Sequence, residues 1–157
     1  MRYHGKNPVT LKFDSLGFNS QMPTITAAIL LEKIKYNDKW ILKRRKIANY
    51  FSKNLNNKII VPNVSESHVF HKFVILTKNR NELKKFLKVN KIESMIHYSN
   101  LLSENKYLKK YVKKNQTFKI ASNISKKTLS LPIHPFLKNI EIIKIVKTIN
   151  NFVEKEN

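Results

Sequence analysis

The chain has 157 residues, of which 41% are apolar, and this length and composition suit one folded domain and exclude disorder of the whole chain. Its 31 lysines and arginines against 10 aspartates and glutamates give a formal net charge of +21, but 27 of these 31 are lysine and only 4 are arginine. Because base recognition and bidentate phosphate binding favour arginine, this charge does not indicate a sequence-specific nucleic-acid partner.

The first elements in chain order are an irregular segment and a long helix. Residues 1–22 contain both glycines and several turn formers without sustained periodicity, so we expect no regular element there. From residue 23 the apolar side chains recur at three- and four-residue steps, which predicts a helix over 23–55 that breaks near Asn37-Asp38. The chain is therefore expected to divide into the segment 1–22 and a domain over 23–157 that includes this helix.

Strand patterns follow the long helix. Residues 59–62 predict a short strand, and a helix beginning at Asn79 or Asn81 is followed by a second short strand at 92–96. The strongest strand pattern is residues 68–76, which predicts a central strand because both of its faces are apolar. One face carries Val69, Phe73 and Ile75, and the other carries Phe70, Val74 and Leu76.

The last third of the chain predicts three helices and one extended segment. Two helices are expected around 105–113 and 118–128, before an extended segment over 129–135 in which two prolines exclude helix. A final amphipathic helix presents an apolar stripe made of Ile142, Ile145, Val146, Ile149, Phe152 and Val153. The predicted fold class is α+β, a small antiparallel sheet covered by helices on one side and preceded by the long helix.

Several residue types exclude common kinds of site. The absence of cysteine excludes disulfides, thiolate metal ligands and a cysteine nucleophile, and two glycines are too few for a Walker loop or a dinucleotide-binding turn. His68 and His71 are expected on opposite faces of a strand, and His4 and His134 have no nearby partner in sequence, so no metal site is predicted. Without a signal peptide or a run of ~20 apolar residues, the chain is expected to be cytoplasmic and not membrane-bound.

Two places in the sequence are candidates for binding polar ligands. His97 and Tyr98 follow a predicted strand and offer donors to phosphate or sugar oxygens, with an ordinary surface loop as the alternative. Asn19 precedes the long helix, and its amide could donate to an anion, with an ordinary turn residue as the alternative. We expect solvated helix faces for the lysine runs at 43–46, 84–88 and 109–114.

Four segments, in their order and spacing, resemble the C-terminal part of the DegT/DnrJ/StrS family of pyridoxal-phosphate-dependent nucleotide-sugar aminotransferases. They are HG at 4–5 followed by GFNSQMPTITAAIL at 17–30, VFHKFVIL at 69–76, IHY at 96–98, and LSLPIHP at 129–135. The runs KRRKIANYF at 43–51 and RNELKKFL at 80–87 support them, so the resemblance extends over nearly the whole chain.

The resemblance implies the second half of a fold-type I aminotransferase that works as a homodimer with active sites shared between subunits. It implies that Asn19 reaches the phosphate of pyridoxal phosphate across the dimer, and that His97 and Tyr98 lie near the nucleotide-sugar substrate. Gln21 departs from the family, in which arginine is usual at this position. A glutamine supplies neither a charge nor a bidentate fork for a diphosphate, so substrate binding through Gln21 is in doubt.

The resemblance also implies that the Schiff-base lysine belongs to a glycine-rich segment upstream of the HG motif, so no catalytic residue is nominated and the chain is expected to be inactive alone. The implied reaction is amino transfer, with glutamate as donor, to a keto-sugar nucleotide in surface-polysaccharide (O-antigen) or amino-sugar biosynthesis. Three origins are expected for such a chain: a truncated reading frame, a split gene with a separate N-terminal half as partner, or a boundary imposed on the sequence. The alternatives are a noncatalytic relic, a module for dimerisation or sugar-nucleotide binding, and a basic nucleic-acid-binding domain suggested only by the charge.

Overall fold

The computed structural model describes residues 3–112 and 117–155. In chain order its regular elements are the helices α1 (Thr24–Ile34) and α2 (Asn37–Asn54), the strand β1 (Phe73–Leu76), the helix α3 (Arg80–Val89), 3-10 turns at Leu102–Glu104 and Lys109–Tyr111, the helix α4 (Lys119–Lys127), the strand β2 (Thr128–Leu131) and the helix α5 (Asn139–Lys155). Among the described helices, none has both the length and the apolar character that crossing a bilayer requires.

The chain forms two compact units, Met1–Asp38 and Lys39–Asn157. The first contains the segment before α1 and α1 itself, and the second contains both strands and the core. A boundary at residue 22, which marks the segment expected to come from a cofactor domain, stays a prediction. The predicted long helix is confirmed as two helices, with the break at Lys35 and Tyr36, just before the expected position.

The sheet consists of β1 and β2, which pair antiparallel with Phe73 opposite Leu131 and Leu76 opposite Thr128. This confirms the predicted α+β class with a small antiparallel sheet. On the outer edge of β1, an isolated bridge joins its residue Leu76 to Ile60. On the outer edge of β2, another joins its residue Ser130 to Met95. Each strand therefore has hydrogen-bonded neighbours on both sides, as expected for a central strand.

Two of the predicted strands are wrong as strands. The segment 59–62 contributes only the bridge at Ile60, and Pro62, which has no N–H to donate, cannot extend the pairing. The segment 92–96 contributes only the bridge at Met95. Their apolar side chains still pack, because Ile59 and Ile92 are buried in the core.

The segment before β1 breaks the predicted strand 68–76. Phe70 has a left-handed backbone (φ 47°), so the strand begins only at Phe73. His68 Nδ1 accepts the N–H of Phe70 at 2.8 Å and its ring lies 4.1 Å from the Phe70 ring, which holds this turn. A left-handed residue reverses the alternation of side chains, so Phe70 is fully buried while Val69 is 45% exposed. The predicted placement of Val69 on one face with Phe73 and Ile75, which are fully buried, is wrong.

The core lies between the sheet and three helices. Helix α2 contributes Phe51, whose ring packs edge-on against Phe73 at 5.2 Å, and α3 contributes Leu83 and Leu87. The predicted stripe of α5 is confirmed, since its members at the core are Ile142, Ile145, Val146, Ile149 and Val153, with Phe152 partly buried beside them.

The helix predicted around 105–113 is wrong for residues 105–112, which form no α-helix. Residue 113 of this helix, and the lysines at 113 and 114 of the run 109–114, lie outside the described residues. Side chains there bond to the local backbone instead: Asn105 Oδ1 accepts the N–H of Tyr107 at 2.9 Å, and Glu104 Oε2 accepts the N–H of Leu101 at 3.0 Å. Such bonds compete with a helical ladder, so only the 3-10 turns form. Helix α4 confirms the helix predicted at 118–128.

Candidate functional site

The two faces of the sheet differ in character. Alternate residues of the strands, among them Phe73, Ile75, Leu129 and Leu131, are buried in the core. The residues between them belong to the opposite face, where the register places Val74 beside Ser130 and the bridge places Met95 on the other side of Ser130. The chain leaves this face two residues after Met95, at His97.

His97 is fixed by the middle of the sheet. Its Nδ1 lies 2.8 Å from Ser130 Oγ, and Ser130 itself is only 6% exposed. The backbone of Ser130 exchanges two hydrogen bonds with Met95, of 3.1 and 2.7 Å, while its other edge pairs with β1. The imidazole is therefore anchored to a rigid strand, although His97 belongs to a loop, and its Nε2 is the ring nitrogen that remains for a ligand.

Tyr98 extends the candidate site toward solvent. Its side chain is 71% exposed, and the ring stands perpendicular to that of His97, with centroids 5.5 Å apart. The peptide bond between the two residues is cis. The sequence prediction paired these two residues as donors, and the structure places their rings in contact.

Two further residues, Lys72 and His71, lie beside His97 and Tyr98. Lys72 Nζ is 5.4 Å from the centroid of the Tyr98 ring. Partial burial, followed by the charges of Lys72 and His71, lowers the pKa of His97 below its ordinary value of 6.5. Lys72 precedes β1 directly, so its position follows from the register of the sheet.

A cavity of about 730 Å³ opens beside His97 and Tyr98. The rest of its wall comes from the 3-10 turns and α4, and it is mostly apolar, with Leu101, Tyr111 and Phe118 among the lining residues. His97 contributes its imidazole to this mostly apolar wall. A ligand with a polar group beside His97 and a less polar body would match this lining.

In the first unit, residues 3–19 fold back on themselves and are more ordered than the sequence predicts. Antiparallel bridges join Tyr3 to Asn19 and Lys6 to Phe13. Gly5 is required here, because its φ is +76° and a Cβ would lie 1.8 Å from the carbonyl oxygen of Ser15.

Asn19 and Gln21 are both exposed in this first unit. The backbone of Asn19 is held by its bridge to Tyr3, and its side-chain amide makes no hydrogen bond within the described residues. The four residues selected from the sequence therefore fall into two pairs, Asn19 with Gln21 in the first unit and His97 with Tyr98 in the second.

Metal ligands do not cluster in the parts of the chain that the structure describes, where no group of three histidine, aspartate or glutamate side chains could hold an ion. Two other histidines, His68 and His134, have local roles. His68 Nδ1 accepts the Phe70 N–H, and His134 Nδ1 accepts the N–H of Phe136 at 3.3 Å.

Comparison with known proteins gives consistent matches. The family model of the DegT/DnrJ/EryC1/StrS aminotransferase family matches residues 1–150. A dTDP-3-amino-3,6-dideoxy-alpha-D-galactopyranose transaminase from Aneurinibacillus thermoaerophilus is 31% identical over 146 residues, which is 90% of this chain and 40% of that protein. The chain thus spans about 40% of the length of this curated relative.

Solved structures show the same partial coverage. A DegT DnrJ EryC1 StrS aminotransferase from Brucella abortus matches with a TM-score of 0.88 and 29% identity, over 96% of this chain and 41% of that one. NtdA from Bacillus subtilis, solved with bound cofactor PMP, matches with a TM-score of 0.85 and 24% identity, over 98% of this chain and 38% of that one.

Proposed function

Since the chain belongs to the DegT/DnrJ/EryC1/StrS aminotransferase family, we propose that it is the C-terminal part of a pyridoxal-phosphate-dependent enzyme that transfers an amino group from glutamate to a keto-sugar nucleotide. The match of the family model over residues 1–150 carries this proposal. The relative from Aneurinibacillus thermoaerophilus, named as the transaminase of a dTDP-linked amino sugar, supports a nucleotide sugar as substrate. We place the reaction in surface-polysaccharide, such as O-antigen, or amino-sugar biosynthesis.

His97 and Tyr98 are proposed to bind the nucleotide sugar. His97 has one ring nitrogen engaged with Ser130, and Tyr98 has an exposed hydroxyl that can donate to a sugar or phosphate oxygen. The adjacent cavity of about 730 Å³ is large enough for part of such a ligand. Because His97 is anchored to β2, it would meet the ligand in a preset orientation.

Asn19 is proposed to bind the cofactor phosphate, and Gln21 to lie beside the substrate. The exposed Asn19 amide has two N–H donors without partners in the described residues, which fits a phosphate oxygen. Pyridoxal phosphate, when bound, supplies the electron sink for the amino transfer. Gln21 can donate hydrogen bonds but no charge, so the charge needed to bind a diphosphate must come from other residues.

The chain is proposed to need further protein around its first unit. Helix α1 has no buried residue, and its apolar side chains are largely exposed, with Ile25 at 76%, Leu31 at 67% and Ile34 at 71%. Apolar side chains in such number are typical of a covered surface. We propose that a separate N-terminal half and a second copy in a homodimer cover it, that the assembly is cytoplasmic, and that the chain alone is inactive.

The experiment that tests this function is co-expression with the N-terminal half of a related enzyme, followed by a glutamate-dependent amination assay with keto-sugar nucleotides. We expect amination only by the complex. The chain alone should form no stoichiometric adduct with pyridoxal phosphate after borohydride reduction and desalting. A defined adduct on one of its lysines, or a folded complex that aminates no sugar nucleotide, would contradict the proposal.

Variants in this complex separate the roles of the two pairs. Asn19→Ala should weaken cofactor binding by about 1.5–3 kcal/mol, the usual loss for a hydrogen bond to a charged group. Tyr98→Phe should raise the KM for the sugar nucleotide and leave cofactor affinity unchanged. Asn57→Ala and Tyr107→Phe, at exposed positions outside the site, are the matched controls. Equal effects of the two site variants on both ligands would refute the assignments.

A further inference from the structure

The basic groups around His97 have no acidic partner among the described residues. In the part of the chain that the structure describes, no carboxylate forms an ion pair with Lys72, His71 or His97. Lys72 is half-buried, and His71 is exposed beside it. Bringing like charges together on a partly desolvated surface is unfavourable unless an anion joins them.

We infer that Lys72 and His71, together with His97 and Tyr98, form a binding site for a phosphate group. The Lys72 ammonium lies over the Tyr98 ring, 5.4 Å from its centroid, and this contact places it at the candidate site. The inference rests on the proposed function in one respect: if the substrate is a sugar nucleotide, the bound phosphate is one of the phosphates of that substrate. Lys72 supplies a positive charge for it.

The donors at this place suit a phosphate. The Lys72 ammonium has three N–H donors, the Tyr98 hydroxyl one, and protonated His97 offers Nε2–H while Nδ1 faces Ser130 Oγ. Partial burial, followed by the charges of Lys72 and His71, disfavours the protonated imidazole of His97 in the free protein. A bound phosphate dianion reverses this effect, so ligand binding and protonation of His97 favour each other.

The test uses the full chain, with inorganic pyrophosphate as the probe and histidine-ring NMR as the readout. Pyrophosphate should raise the pKa of His97. Lys72→Met should raise the pKa of His97 in the free protein, because a positive charge is removed, and should weaken pyrophosphate binding about tenfold. Lys72→Arg, which keeps the charge, should retain binding.

The exposed Lys78 provides the control for the general positive charge of the chain. Lys78→Met should leave both the pKa of His97 and pyrophosphate binding as in the unaltered chain. Equal pyrophosphate affinity in Lys72→Met and Lys78→Met, or no response of His97 to pyrophosphate, would overturn the inference. The backbone amide spectrum of each variant shows whether the fold is retained, and Lys72→Arg keeps the test valid if the methionine variant misfolds.

The complex with an N-terminal half distinguishes this inference from the proposed function. Lys72→Met should raise the KM for the sugar nucleotide more than it lowers kcat. If the complex aminates sugar nucleotides and Lys72→Met leaves KM unchanged, the inference fails and the function stands. If pyrophosphate binds through Lys72 while the complex aminates no sugar nucleotide, the phosphate site stands and the function fails.

Discussion

Replacing Phe70 by alanine tests the left-handed turn that delivers Lys72 to the candidate site. Phe70 is fully buried and packs beside His68 and Phe73, with ring centroids at 4.1 and 6.1 Å. Truncating a buried phenylalanine to alanine costs about 3–5 kcal/mol, because contacts are lost and a cavity remains. Val69 is 45% exposed, so Val69→Ala should cost less than about 1 kcal/mol.

Urea unfolding, followed by circular dichroism and by the fluorescence of the single tryptophan, Trp40, measures this difference. With a slope of about 2 kcal/mol per molar urea, a difference of about 2 kcal/mol between the variants separates their midpoints by about 1 M. An uninterrupted strand over 68–76 would instead bury Val69 together with Phe73. Midpoints that are equal for Val69→Ala and Phe70→Ala, or a lower one for Val69→Ala, would refute the turn.

Three further predictions follow from the site and the first unit. Because the pKa of His97 is lower in the folded state than its ordinary value of 6.5, His97 takes up its proton in the unfolded chain first as the pH falls. The free energy of unfolding should therefore decrease below about pH 6.5 and level off once folded His97 is also protonated. Urea titrations at several pH values measure this change. Ser130→Ala removes the partner of His97 Nδ1, so it should lower the free energy of unfolding by about 1 kcal/mol and change the nitrogen NMR shifts of the His97 ring. Unchanged shifts would contradict the 2.8 Å contact. Gly5→Ala should abolish the NMR cross-peaks between Tyr3 and Asn19, since a Cβ cannot fit 1.8 Å from a carbonyl oxygen, and their persistence would show that the turn has another form.

Periodic patterns predicted the elements whose side chains follow one regular period. The stripe of α5 and the helix α4 agree with their predictions because helical spacing alone decides which side chains face the core. The predicted strand 68–76 was shortened by one backbone angle at Phe70, which no alternation of apolar residues reveals. A hydrogen bond from the Phe70 N–H to the His68 ring stabilises that angle, and such local side-chain bonds compete with regular structure.

The candidate site was predicted only in part. His97 and Tyr98 were selected because they follow a strand pattern and match a family motif. Ser130 was not predicted, because it meets His97 only through the pairing of Met95 with β2. Lys72 was not predicted either, because its place beside Tyr98 depends on where β1 begins. Residues that meet through strand register are far apart in sequence, 33 positions for His97 and Ser130, so spacing alone does not reveal them.

The contact of His97 with Ser130 also bears on how such a site can diversify. The imidazole takes its orientation from a strand that is paired on both edges, and no hydrogen bond from the described residues 99–112 reaches its ring. Insertions, deletions and substitutions between residues 99 and 112 can therefore reshape the cavity wall while the histidine keeps its position. A fixed imidazole beside a wall that is free to vary lets one scaffold accept different ligands through loop changes alone.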